Sequence, residues 1–103
     1  MVAQENNVCE LIKRRRLQML IHSIVYEKFN ESIISDRQWD IWAKELYELQ
    51  KKYPKESQKV WGYDIFYDWT GDTASIIVNR ADEQAIGKAK YILGISRRKV
   101  KNV

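Results

Sequence analysis

The sequence predicts a mainly α domain of α+β type, in which an antiparallel helical hairpin is followed by a short β-turn or β-hairpin region and a C-terminal helix. Three observations point there. Apolar residues recur at offsets of three and four through the first half, a capping sequence interrupts that half once, and a β-branched run follows an aromatic one in the second half.

Val8, Leu11, Ile12, Leu17, Leu20, Ile21, Ile24 and Val25 fall on one helical face and predict a helix from about Glu5 to about Phe29. Asn30 suits its end, because asparagine tolerates the left-handed backbone that closes helices. Glu31 to Ile34 make a short connection. Ser35-Asp36 then supplies an N-cap, with Gln38 at capping-box spacing from Ser35. Trp39, Trp42, Leu46, Leu49 and Tyr53 advance by alternate steps of three and four, the seam of a helix packed on another helix, until Pro54 ends it. Two helices joined by so few residues are antiparallel neighbours.

Lys55 to Trp61 reads as a short helical turn closing at Gly62. Tyr63 to Trp69 is aromatic and extended in character, Thr70-Gly71-Asp72 has turn chemistry, and Ala74 to Val78 is β-branched enough for a strand. A small β-hairpin across Thr70 to Asp72 is the expectation. Asp82 caps a last helix with Ala85, Ile86, Ala89, Ile92 and Leu93 on one face, and Gly94 is its natural stop. A chain of 103 residues supports one modest core, assigned to residues 1–95, with residues 96–103 as a basic, flexible tail.

Composition narrows the function classes. With 45% apolar and 31% charged residues the chain is a folded globule rather than a disordered segment. The lone Cys9 excludes an intramolecular disulfide, no apolar run approaches the roughly 20 residues of a bilayer span, and Gln4, Glu5 and Asn6 break the order of a signal peptide. A cytoplasmic protein without a membrane partner is expected. The net charge of +4 is unevenly placed: Lys13, Arg14, Arg15 and Arg16 form one basic cluster, and Arg97, Arg98, Lys99 and Lys101 another. These clusters are candidate phosphate contacts for weak, salt-sensitive nucleic-acid binding, or else a solvated helix face and a frayed tail.

Reactive constellations are scarce. One His and one Cys cannot make a zinc site, and His22 and Cys9 lie about 20 Å apart along one helix, too far for a nucleophilic pair. Gly62, Gly71, Gly87 and Gly94 form no phosphate-binding loop. Asp36 with Asp40, and Asp64 with Asp68 and Asp72, are carboxylates at spacings that serve Mg²⁺ or acid–base work, but at helix starts and turns such groups read as caps and solvated charges. No catalytic residue and no metal ligand is assigned.

Arg15 to Lys55 nevertheless has a recognisable skeleton: a helix ending near Tyr26, then Ile34-Ser35-Asp36, the pair Trp39-Asp40, Glu45-Leu46 with Leu49, and Pro54. That skeleton resembles the small helical segment that opens bacterial NAD-dependent DNA ligases, where Ile-Ser-Asp-x-x-Tyr-Asp starts the second helix of a hairpin. The resemblance covers roughly two-fifths of the chain. It implies binding of NAD, through its nicotinamide mononucleotide half, at Tyr26, Asp36, Trp39 and Asp40. An aromatic face suits the flat pyridinium ring, and carboxylates can accept from the carboxamide or ribose hydroxyls. Two positions depart from the family: Glu27 stands where His or Tyr is usual, and Trp39 replaces a tyrosine. The Lys-x-Asp-Gly nucleophile motif of the ligase family's next domain is missing, so the resemblance implies an accessory module that does not ligate DNA by itself. Phe66 to Thr73 is similar to a segment of small stand-alone ligase-related proteins of bacteriophages and prophages. The implied partners are a nicotinamide nucleotide, or a ligase-like or host enzyme that the hairpin scaffold engages as a protein-interaction or inhibitor module.

Overall fold

A computed structural model describes the backbone over residues 2–101 and the side chains over residues 7–97. Six helices make up the described part: α1 (Val2–Phe29), α2 (Asp36–Lys52), α3 (Pro54–Lys59), α4 (Tyr63–Phe66), α5 (Ser75–Asn79) and α6 (Glu83–Lys101). The fold is mainly α.

Helix α1 is the axis on which α2, α3, α5 and α6 pack. Its apolar residues do not form one stripe, as the sequence pattern suggested. Ile12, Arg16, Met19 and Ser23 follow steps of four, three and four and are all buried. This is the seam that meets α2, because Ser23 accepts a hydrogen bond from Trp39 Nε1 at 3.1 Å and Arg16 Nε donates to Gln50 at 2.8 Å. Leu20, Ile21, Ile24 and Val25, also buried, occupy the other side of the wheel. A helix surrounded by partners buries residues nearly all round.

The α1–α2 hairpin forms as expected. Asn30 takes a left-handed φ of 53° where α1 ends. Ser35 caps α2, its Oγ accepting from the Gln38 amide at 3.0 Å. Leu46 is fully buried, with Trp39, Trp42, Leu49 and Tyr53 packed against the core around it. Pro54 both closes α2 and occupies the first turn of α3, where its missing N–H is no loss. Replacing Ser35 with alanine is expected to cost about 1 kcal/mol, the usual price of an N-cap. Urea unfolding checks this, and Ser35→Asp should restore most of the stability because it keeps a capping oxygen.

The second half departs from expectation. Among the described residues there is no strand, so the predicted β-hairpin is replaced by α4 and α5. Burial gives the reason: Ile65 and Phe66 are neighbours and both buried, as are Ile77 and Val78, while Ile76 is 42% exposed. Consecutive burial suits a helical turn, whereas a half-buried strand alternates. Gly62, at φ 91°, redirects the chain into α4, and its carbonyl accepts the Ile65 and Phe66 amides at 3.0 Å. Arg80 ties the two short helices together by donating to the Ile65 carbonyl at 2.9 Å and pairing with Asp68 at 2.7 Å.

Asp82 caps the start of α6 through the Ala85 amide at 2.9 Å, and Ala89 and Leu93 are buried one turn apart. Gly94 does not stop this helix, which continues through the expected domain boundary at residue 95 and on to Lys101. A glycine inside a helix costs about 1 kcal/mol relative to alanine. Packing of Ala89 and Leu93 on the turns before it holds α6 against that cost. No helix among the described residues is long and apolar enough to cross a membrane.

Candidate functional site

Helix α1 contributes His22 and Tyr26, four residues apart and therefore on one face. Tyr26 is 59% exposed, so it is not a core residue of the hairpin. The bend after Asn30 and the Ser35 cap then turn the chain so that Asp36, Trp39 and Asp40, in the first turns of α2, come beside these two. Trp39 is half-buried. Its Nε1 is held by Ser23, and its ring meets the Trp69 ring edge-on, with centroids 6.0 Å apart and planes at 89°.

A third wall comes from the loop before α5. Trp69 is buried, packs edge-on against Phe66, and donates Nε1–H to the Thr73 carbonyl at 2.7 Å. Gly71, at φ 84°, lies so close to α2 that a Cβ there would meet the Ala43 carbonyl at 3.1 Å. Only glycine allows both that backbone and that approach. Thr70 Oγ1 donates to Asp72 Oδ2 at 2.9 Å, which fixes the turn. The loop so held presents Asp72 and Thr73 to the residues of α1 and α2.

Together these elements enclose a cleft of about 310 Å³ lined by Tyr26, Asp36, Trp39 and Asp40, the four residues singled out by the resemblance, along with His22, Glu27, Asp72 and Thr73. Reading the sequence missed His22, Asp72 and Thr73 as cleft residues. The spacing of His22 from Tyr26 was the available signal. For Asp72 and Thr73 there was none beyond the turn chemistry.

No family model, curated protein or solved structure matches this chain. What the cleft can do must be read from its own chemistry.

The lining is acidic. Glu27, Asp36, Asp40 and Asp72 contribute carboxylates, and no lysine or arginine lines the cleft. His22 does not offset them at neutral pH, because burial lowers its pKa below the ordinary imidazole value. Its Nδ1 is buried without a hydrogen-bond partner, and its ring lies 5.8 Å from Trp42. Among the described residues no group of three or more His, Cys, Asp or Glu is placed to hold a metal ion. A flat ring beside Tyr26 and Trp39, carrying positive charge or hydroxyl donors, matches what the walls offer.

The basic clusters are less uniform than the sequence suggested. Lys13 and Arg14 are exposed on α1. Arg15 is half-buried, pairing with Glu45 at 2.9 Å, bonding Gln18 at 2.7 Å, and lying over the Trp42 ring. Arg16 is a correction: it is fully buried, with its guanidinium engaged by Gln50, Ser57 and the Val60 and Trp61 carbonyls, and cannot reach a phosphate backbone. Arg97 pairs with Glu31 at 2.8 Å. The side chains of Arg98, Lys99 and Lys101 lie outside the described residues.

Proposed function

We propose that this protein is a small DNA ligase-related accessory module that binds NAD or nicotinamide mononucleotide through the nicotinamide half and does not ligate DNA by itself. The observation that carries this reading is that Tyr26, Asp36, Trp39 and Asp40, drawn from two helices, line one cleft. The volume, about 310 Å³, suits a nicotinamide ring with its ribose and lies at the lower end of small-molecule sites. Tyr26 and Trp39 would contact the ring, and Asp36 and Asp40 would accept from the carboxamide and the ribose hydroxyls. In this reading the module works in the cytoplasm of a bacterial host and presents the nucleotide to a ligase-like partner enzyme.

Calorimetric titration with nicotinamide riboside, nicotinamide mononucleotide and NAD tests the proposal. Saturable binding of at least one of them is expected, weakened about tenfold or more by Asp36→Ala through loss of a charge-assisted hydrogen bond, and comparably by Tyr26→Ala. Absence of heat with all three, or affinities untouched by both substitutions, rules the reading out.

A second reading is a protein-interaction or inhibitor module that keeps only the scaffold. Trp61, Tyr63 and Tyr67 favour it, since all three are exposed around α4 and large aromatics are common interface anchors. A stable stoichiometric complex that survives Asp36→Ala but not Tyr67→Ala would support this reading over nucleotide binding.

A further inference from the structure

We infer that the cleft selects the cationic, unphosphorylated nicotinamide riboside over the phosphorylated mononucleotide. The inference rests on the reading of the cleft as a pyridinium site and adds the charge class of its ligand.

The carboxylates of Glu27, Asp36 and Asp40 accept no hydrogen bond and pair with no cation among the described residues, and that of Asp72 meets only the Thr70 hydroxyl. Tyr26 and Trp39 add aromatic surface to the same walls. Positive charge is attracted both by the carboxylates and by ring faces. A phosphate, carrying close to two negative charges at neutral pH, meets the repulsion of four carboxylates in such a lining, with hydroxyl groups but no positive charge to offset it. Phosphate sites ordinarily supply arginine, lysine or a run of backbone N–H groups. None of the lining residues is a cation. Of the two helices that start here, α2 begins with Asp36 and has its Gln38 amide already bonded to Ser35, and α5 is only five residues long with its Ser75 amide donating to Thr73 Oγ1 at 3.3 Å. Glu27 adds another negative charge on the α1 wall, beside Tyr26 in sequence. The ring and ribose of the ligand therefore sit within the cleft, and any phosphate is left to solvent beyond it, at a cost in affinity.

The test is a set of titrations at low salt, about 20 mM, and again at about 500 mM, where exposed charges are strongly screened. The ligands are nicotinamide riboside, its uncharged 1,4-dihydro form, and nicotinamide mononucleotide. The oxidised riboside is expected to bind at least about tenfold more tightly than either of the others at low salt, with the gap narrowing at high salt. Glu27→Lys, at an exposed position with no side-chain partner, should raise mononucleotide affinity relative to riboside about tenfold or more. Mononucleotide binding equal to or tighter than riboside binding in the unmodified protein overturns the charge selectivity while leaving the pyridinium site standing. So does an affinity ratio unmoved by Glu27→Lys. No binding of any of the three overturns both.

Discussion

Arg16→Ala is expected to lower the unfolding free energy by roughly 3–5 kcal/mol, enough to leave a domain of this size barely folded. The guanidinium of Arg16 is fully buried, and its donors are all engaged. Nε donates to Gln50 at 2.8 Å, one terminal nitrogen to the Val60 and Trp61 carbonyls at 2.9 and 3.1 Å, and the other to the Ser57 carbonyl and hydroxyl at 3.1 and 2.6 Å. Gln50 extends the network by donating to the Phe66 carbonyl at 3.2 Å. One side chain on α1 thus anchors α2, α3 and the bend into α4. Burial pushes its pKa down to about 10, partly offset by Tyr63 and Asp64, so it stays charged at neutral pH. Removing it leaves buried carbonyls without donors and a void beside Gly62, whose position would put a Cβ 3.3 Å from Arg16 Cδ. Arg16→Lys should recover only part of the loss, since a compact ammonium cannot span acceptors set out for a planar fork. Urea unfolding followed by tryptophan fluorescence measures all three proteins. A loss under about 1 kcal/mol for Arg16→Ala would mean that the network does not hold the fold.

That residue also marks where the sequence was misleading. A run of four basic residues reads as a solvated face, and nothing in its composition tells which member turns inward. The hint lay in spacing: Arg16 and Ser23 fill the seam begun by Ile12 and Met19, but as polar residues they drop out of a search for apolar repeats. The hairpin itself was legible because its signals are local: the Ser35 cap, the left-handed Asn30 and the aromatic seam of α2 depend on near neighbours. Helices α4 and α5 were not legible, for the opposite reason. Tyr63 to Phe66 and Ser75 to Asn79 carry residues that favour strands, and helices of four and five residues have no stability of their own. Gly62, the buried pairs Ile65–Phe66 and Ile77–Val78, and the Arg80 bridge decide their shape from a distance. Gly94 was misread similarly, since its stop signal yields to the packing of α6 on α1. For the cleft, Tyr26, Asp36, Trp39 and Asp40 could be named from sequence and His22, one turn before Tyr26 on α1, was passed over, whereas the Asp72–Thr73 wall depends on a loop docking on α2, a contact that no periodicity announces.

The same loop makes Trp69 the most sensitive position near the cleft. Trp69→Ala is expected to cost roughly 3–5 kcal/mol, because a buried indole is exchanged for a cavity. It touches both halves of the fold, meeting Trp39 of α2 with centroids 6.0 Å apart and Phe66 of α4 at 5.4 Å, each nearly perpendicular. Since alanine removes packing and hydrogen bond together, Trp69→Phe separates them. Phenylalanine keeps an aromatic ring but frees the Thr73 carbonyl from its 2.7 Å bond. The expected cost is about 1–2 kcal/mol, with the fold retained. If the indole N–H positions the third wall, Trp69→Phe should also weaken nicotinamide riboside binding several-fold while Asp82→Ala, which removes the cap of α6 outside the cleft at a comparable cost of about 1 kcal/mol, weakens it less per unit of stability lost. Equal effects on affinity from the two would mean that the Gly71–Ala43 approach and the Thr70–Asp72 bond already hold the loop. The indole would then serve the core alone. Thermal unfolding and calorimetry on the two variants distinguish these outcomes, because the first reports what the ring packs against and the second reports where Asp72 and Thr73 stand.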